Sequence, residues 1–338
     1  MNNQISTMDK FWEQKRVLVT GAGGFIGSHL VEHLVEQGAR VRAFVRYNSR
    51  GDAGLLRMLS PELRGKLQIL SGDLRDGQAI QDAVADCEYV FHLGALISIP
   101  YSYLHSYEVA ETNFMGTLNV LNACHRAQVS RLIHTSTSEV YGTACYTPMD
   151  EKHPLQGQSP YSASKIGADK LAESYYCAYQ LPVVTVRPFN TYGPRQSARA
   201  VIPALITQAL TCDVVHVGNL DTSRDFTFVN DTVNGFLCAA RAQSVEGKTF
   251  NLGTGSEIKI GDLTSKILSM IGSQAKVMVD SIRLRPSDSE VYRLISDNGL
   301  ARKSLDWQPQ TDLDRGLEQT VSWIKKHLDV YRVGAYEF

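Results

Sequence analysis

The sequence predicts an α/β fold, a doubly wound parallel sheet with a smaller, interleaved C-terminal lobe. Three observations carry this expectation. Short β-rich runs alternate with helical patterns through the first half of the chain, as in parallel sheets covered by helices on both faces. A glycine-rich turn joins the first run to the first helical pattern. Beyond Arg187 the alternation is broken by Pro188, Pro194 and Pro203, so the second half reads as a less regular lobe.

The elements follow in order. Arg16–Thr20 (RVLVT) is the first strand, and a helix over roughly Phe25–Gln37 ends at Gly38. Arg40–Val45, Leu67–Leu70, Tyr89–Leu93, Leu132–Thr135 and Val183–Arg187 are further strands. Helical patterns fall at roughly Arg75–Val84, Tyr107–Ala127 and Tyr161–Tyr179. In the second half Arg224–Val229 reads as a short strand and Asn251–Gly255 as a strand end, with amphipathic helices at Lys259–Ile271 and Asp312–His327. Residues 15–187, with about 229–255, are therefore assigned to a Rossmann-like dinucleotide domain, and 188–228 with 256–328 to a substrate lobe.

The bulk numbers narrow the class. A chain of 338 residues with 43% hydrophobic and 20% charged residues suits two domains, or one large domain with a lobe. A net charge of −1 provides no electrostatic reason to expect nucleic acid or an anionic membrane as partner. Met1–Arg16 is polar, carries Asp9, Trp12 and Glu13, and lacks the apolar core of a signal peptide. No run is long enough to span a bilayer, so a cytoplasmic protein is expected. The six cysteines form no C-x-x-C pair and are expected to be free, buried thiols.

The turn reads Thr20-Gly21-Ala22-Gly23-Gly24-Phe25-Ile26-Gly27. One glycine permits the tight turn, one lets backbone approach a pyrophosphate, and one lets helix and strand pack closely. The helix start at Phe25 and Ile26 then offers free N–H groups to the phosphates. The second strand should carry an acid if the cofactor is NAD. Instead Arg46 and Arg50 flank the site and no acid precedes Asp52, which favours NADP, with NAD as the alternative. Asp73-Leu74, after the third strand, suits the adenine, with Asp73 facing its amino group. Leu93-Gly94-Ala95 ends the fourth strand where the cofactor's backbone should pass.

Tyr161 and Lys165 are four residues apart, so a helix places them on one face. A free tyrosine titrates near 10, and lowering that by about three units takes roughly 4 kcal/mol of preferential phenolate stabilisation. A lysine ammonium one turn away and a positive nicotinamide ring are expected to supply it. The same lysine can bond the nicotinamide ribose. The preceding strand ends in Thr135-Ser136-Thr137-Ser138-Glu139, where Thr137 can hydrogen-bond a substrate alcohol. Each motif has an ordinary alternative: a surface helix pair for Tyr161 and Lys165, and capping hydroxyls at the strand end.

Together these residues resemble the extended short-chain dehydrogenase/reductase superfamily, in its nucleotide-sugar epimerase/dehydratase branch. Asn113-Phe114-Met115-Gly116-Thr117, Arg187-Pro188-Phe189-Asn190 and Ser223-Arg224-Asp225-Phe226 are similar to that branch as well, and the likeness runs from Lys15 to Lys326. The resemblance implies a nucleotide-diphosphate-sugar substrate held by Asn190 and Arg224, with Thr137 and Ser138 at the sugar. It also implies a tightly bound, recycled cofactor and a homodimer packed through the Tyr161 helix.

Thr137-Ser138-Glu139 is similar to GDP-mannose 4,6-dehydratases and UDP-glucuronate decarboxylases, whereas dTDP-glucose dehydratases carry T-D-E. In a dehydratase Tyr161 takes the O4 proton while hydride leaves C4. Glu139 then removes the C5 proton, water departs from C6, and the hydride returns to C6. Pro154–Tyr161, Arg195–Val201, Ser289-Glu290-Val291 and the tail Val333–Tyr336 resemble the LegB type, nucleotide-linked N-acetylglucosamine 4,6-dehydratases. Many relatives place an arginine after R-P-G-D; here Arg285-Pro286-Ser287-Asp288 leads to Ser289-Glu290, and Arg283, Arg285 or Arg293 could replace it. The expected activity is thus 4,6-dehydration of a UDP- or GDP-linked N-acetylglucosamine. UDP-glucuronate decarboxylation and 4-epimerisation are alternatives, and a non-catalytic NADP-sensing protein is the remote one. His29 and His33, four apart on the first helix, lack a third ligand, so no metal is expected. The Tyr175-Tyr176-Tyr179 cluster suits packing or a subunit surface.

Overall fold

The computed structural model describes residues 10–331; Asp9 and the Val333–Tyr336 motif lie outside them. Seven parallel strands form the central sheet, in the spatial order Thr249–Leu252, Val183–Pro188, Arg131–Thr135, Tyr89–His92, Arg16–Thr20, Arg40–Arg46, Gln68–Gly72. Side chains alternate faces along each strand. Val17 and Val19 point into one apolar core, with the helices Phe25–Glu36 and Val229–Arg241. Leu18 points into a second core, with the helices Gly77–Val84, Gly116–Ala127 and Pro160–Tyr179. Both faces are covered, which is why the strands read as nearly continuous apolar runs.

Chain order reverses beside Arg16–Thr20, which pairs with Arg40–Arg46 on one side and Tyr89–His92 on the other. Ligands bind open α/β sheets at such a point, beyond the carboxyl ends of the strands. A chain of hydrogen bonds ties the two strand ends there. Gly94 N donates to Thr20 Oγ1 (3.1 Å), which lies 2.8 Å from His92 Nδ1. His92 Nε2 is 3.0 Å from Thr117 Oγ1, whose hydroxyl donates to the Asn113 carbonyl (2.6 Å). With that proton committed, Thr117 must accept from His92 Nε2–H, so Nδ1 accepts from Thr20.

Three differences from the sequence-level reading have physical causes. The helical pattern over Tyr107–Ala127 is broken by a π-helical turn at Glu111–Met115. That turn carries Asn113, whose side chain bonds both polar groups of the Leu96 backbone and Ser164 Oγ. The run Arg224–Val229 splits into Ser223–Arg224 and Phe226–Phe228 around fully buried Asp225, and Val229 opens a helix. Asp225 accepts from the backbone N–H groups of Thr254, Gly255 and Ser296 and from the Thr254 hydroxyl, so it ties loops rather than continuing a ladder. The cysteines are all free, but only Cys87, Cys124 and Cys238 are buried, whereas Cys145 and Cys177 are exposed. Beyond Pro188 the chain builds small sheets: Asn190–Tyr192 with Phe226–Phe228, Ile258–Lys259 with Ser223–Arg224 and Arg293–Leu294, and Val214–Val217 with Lys276–Val279.

Candidate functional site

The glycine turn sits at the reversal point. Gly21 has φ +68°, and a Cβ there would lie 2.7 Å from Gly94 N, so the two strand-end loops pass in contact. A Cβ on Gly27 would lie 2.2 Å from the Gly21 carbonyl oxygen, which is the close helix–strand approach the spacing predicts. The N-cap of helix Phe25–Glu36 is Gly24, which supplies no side-chain acceptor. The first-turn amides at Phe25 and Ile26 are therefore left for an anion. These residues fit a dinucleotide. Leu74 is buried beside the crevice, and Leu93 and Ala95 are half-buried.

Two residues expected at the adenosine end are already engaged. Arg46 is largely exposed and pairs with Glu108 at 3.0 Å. Asp73 receives Arg75 through both carboxylate oxygens, at 3.0 and 2.7 Å, and this hydrogen bonding holds its carboxyl below the usual range against partial burial.

Helix Pro160–Tyr179 begins at the carboxyl edge of the sheet. Pro160 occupies its first turn, and Ser159 and Ser162 form a reciprocal capping box: Ser162 N donates to Ser159 Oγ and Ser159 N to Ser162 Oγ, at 3.1 and 3.0 Å. These caps fix the first turn, and Tyr161 stands in it, 7% exposed. Lys165 follows one turn later at 3% exposure, its ammonium donating to the Thr135 carbonyl (2.7 Å). Thr137 caps the turn Ser138–Tyr141 by accepting from Glu139 N (3.2 Å), and its hydroxyl stands beside the Tyr161 phenol. The helix and the loop after strand Arg131–Thr135 thus bring Thr137, Glu139, Tyr161 and Lys165 to one place; Ser138 is buried in the same turn.

The electrostatics differ from the simplest expectation. Burial pushes the Tyr161 phenol well up, and the charges of Glu139 and Asp169 add to this; only the Thr137 hydroxyl acts the other way. Burial lowers Lys165 to about 8, with the Asp169 charge opposing. Lysine alone does not depress the tyrosine in this arrangement.

Across the crevice the small lobe contributes arginines. Arg224 is 6% exposed; burial lowers its pKa, and its Nη2 lies 3.7 Å from Glu290. Arg285 Nη1 lies 3.4 Å from Glu139 Oε2. Of the three candidate second arginines, Arg285 is the one facing the site; Arg293 is held by Glu257 and Arg283 by Asp280. Asn190 Oδ1 is buried with no hydrogen-bond partner, an acceptor left open beside the sheet edge. Glu290 and Asp169 were not among the sequence-predicted site residues. The available signals were an acid where relatives place a basic residue, and an acid on the Tyr161–Lys165 helix face.

His29 and His33 have structural partners: His29 Nε2 bonds the Pro194 carbonyl and His33 Nδ1 the His29 carbonyl. Burial lowers His29 to about 3, so it stays neutral. Among the described residues no helix is long and apolar enough to cross a membrane.

Fold and site define a dinucleotide-binding protein with a tyrosine–lysine pair at its cofactor crevice. The family model for GDP-mannose 4,6 dehydratase matches residues 18–320. The chain is 31% identical over 324 residues to dTDP-D-glucose 4,6-dehydratase of Mus musculus, covering 93% of this chain and 89% of that protein. It superposes on DesIV, the dTDP-glucose 4,6-dehydratase of Streptomyces venezuelae with NAD and TYD bound, with TM-score 0.83 and 29% identity over 94% and 99% of the two chains. It is also similar to the UDP-N-acetylglucosamine 4-epimerase of Methanobrevibacter ruminantium M1, with TM-score 0.84 and 28% identity over 93% and 99%. The chain belongs to the GDP-mannose 4,6-dehydratase-like family, nucleotide-sugar dehydratases and epimerases of the extended short-chain dehydrogenase/reductase type. It is an enzyme of that family, with a nicotinamide cofactor.

Proposed function

We propose that this enzyme is a nucleotide-sugar 4,6-dehydratase acting on a UDP- or GDP-linked N-acetylglucosamine. The observation that carries the reading is Glu139, an acid two residues after Thr137 and within electrostatic reach of Tyr161. A simple epimerase needs no acid or base beyond its tyrosine. Gly21, Gly24, Phe25, Ile26 and Gly27 would hold the cofactor's pyrophosphate, Asp73 and Leu74 its adenine, and Leu93 and Ala95 its backbone. Arg46 supports NADP as the cofactor, with NAD as the alternative. When bound, the nicotinamide supplies a reversible hydride acceptor.

The chain's own residues do the proton chemistry. Thr137 orients the sugar's O4, and Tyr161 takes its proton as C4 becomes a ketone. The ketone acidifies C5–H. Glu139 removes that proton and, now neutral, can hand it to the departing C6 hydroxyl. Ser138 leaves no second acid in this turn. Lys165, an ammonium at neutral pH, offers its free N–H groups to the cofactor ribose. Asn190 and Arg224 hold the diphosphate, where a planar guanidinium suits two phosphate oxygens. A homodimer packed through helix Pro160–Tyr179 is part of the proposal. Its supporting feature is an exposed aromatic and apolar set, Tyr107, Met115 and Tyr179.

A second reading, 4-epimerisation, is favoured by one contact: Arg285 lies against Glu139 and limits its availability as a base. Deuterium separates the two. Incubation with UDP- or GDP-N-acetylglucosamine in D2O should yield a 4-keto-6-deoxy product carrying deuterium at C5. Glu139→Gln should keep cofactor binding and abolish that exchange. Recovery of both substrates unchanged, or of their 4-epimers, with loss of carbon dioxide from UDP-glucuronate as the remaining outcome, would exclude dehydration.

A further inference from the structure

Helix Pro160–Tyr179 places three functional side chains one turn apart: Tyr161, Lys165 and Asp169. Lys165 and Asp169 are both buried, at 3% and 5% exposure. An ammonium and a carboxylate four residues apart on a buried face would ordinarily join. Here they do not. Asp169 Oδ1 lies 3.0 Å from His134 Nε2. Oδ2 accepts from Ser136 Oγ (2.8 Å), Arg187 Nη2 (2.9 Å) and Arg187 Nε (3.2 Å). Both oxygens are thus occupied by groups from the two neighbouring strands. Lys165 spends one N–H on the Thr135 carbonyl and keeps two.

Arg187 is itself locked. Its Nη1 donates to Tyr141 Oη (3.0 Å), whose hydroxyl donates to Asn251 Oδ1 (2.6 Å), and its guanidinium carbon lies 5.0 Å from the Tyr141 ring centre. Burial disfavours the Asp169 carboxylate, but the His134 hydrogen bond and the Arg187 charge outweigh it and hold its carboxyl below the usual range. A cavity of about 420 Å3 is lined by Asp169, Arg187, Glu151 and Lys170 among others.

We infer that Asp169, saturated by Arg187, His134 and Ser136, is a positioning residue that keeps Lys165 an ammonium through its field while leaving two lysine N–H groups free for the site. Arg187 completes the arrangement by holding the carboxylate off the lysine. The buried set Lys165, Asp169 and Arg187 carries a net charge of +1. A direct Lys165–Asp169 pair would consume the donors that the lysine keeps for the site.

The other groups around Lys165 do not substitute for this. His134 and His92, on the adjacent strands, are fully buried, and burial holds both below their usual value, so they stand neutral. Tyr161 on the same helix is held protonated by burial in the free protein. Glu139 lies on the Tyr161 side of the site, against Arg285. Asp169 is the anion that acts on Lys165.

The test reads Lys165 directly and needs no substrate. Full-length protein with 13C-labelled lysine is titrated by NMR, the Lys165 resonance being assigned by its loss in Lys165→Met. Asp169→Asn should lower the Lys165 midpoint by about one pH unit, and Arg187→Gln should raise it by a similar amount as the freed carboxylate turns to the lysine. Arg187→Lys should restore the wild-type midpoint in part. A residue that merely braces the fold would move neither midpoint, or both in the same direction, and either result overturns the inference. If Asp169→Asn does not fold, Arg187→Gln against Arg187→Lys decides alone: equal midpoints refute it. Failure of the dehydratase reading would leave this titration unchanged.

Discussion

Lys165→Met tests the electrostatic description of the site through stability alone. Burial takes the lysine from 10.5 to about 8. At about 1.4 kcal/mol for each tenfold change in proton affinity, holding it charged inside the fold costs on the order of 3 kcal/mol. The sign follows from proton counting. Between pH 8 and 10.5 the unfolded chain binds a proton that the folded protein has shed, so raising pH through this window favours folding. Below about pH 8 both states are protonated and the full cost applies. Integrated from pH 7 to 10, wild-type stability should gain about 2–3 kcal/mol relative to the methionine variant. The lost hydrogen bond to the Thr135 carbonyl, worth about 1 kcal/mol, enters as a constant offset. Tyr161 titrates above this window and the buried histidines below it. Urea unfolding of both proteins at pH 7, 8, 9 and 10 measures the difference. A gap between the two proteins that stays constant with pH would refute the reasoning.

Two further outcomes are expected. Gly27→Ala places a Cβ 2.2 Å from the Gly21 carbonyl oxygen, so the turn must shift; overpacking of this kind costs about 1–3 kcal/mol. Titration with NADPH and NADH, read by fluorescence, should show at least tenfold weaker binding of the nicotinamide cofactor, and unchanged binding would mean the turn does not set that site. Arg224→Gln should raise KM for the nucleotide sugar roughly tenfold to a hundredfold with kcat nearly kept, the size of a charge-assisted hydrogen bond. A fall in kcat at constant KM would place Arg224 at the reacting carbon instead.

Much of this architecture is written locally. Arg16–Thr20, the glycine turn and the Phe25 helix are legible because strand, turn and cap chemistry coincide within twenty residues. Tyr161 and Lys165 are legible because helical spacing forces them together. What is not legible depends on distant partners. Val214–Val217 and Lys276–Val279 exist as strands because they pair with each other across sixty residues, and Lys276–Val279 is exposed throughout. Helix Val201–Thr211 carries Pro203 in its first turn, which reads as a break although proline is tolerated there. The π-helical turn at Glu111–Met115 has no periodic signature; Asn113 needs it to reach Leu96 and Ser164. Asp169 and Glu290 look like ordinary surface acids until the strands bearing Arg187 and Arg224 come against them.

The sheet is completed out of order. Val183–Pro188 is buried along its whole length, yet its outer neighbour, Thr249–Leu252, is sixty residues further along the chain. Until that segment leaves the ribosome, the growing protein presents an apolar, unpaired strand edge, a template for pairing with other chains. The intervening residues build much of the lobe that holds Arg224. Completion of the sheet and of that lobe is therefore one event. A truncation anywhere before Leu252 should give aggregation, not a free-standing dinucleotide domain.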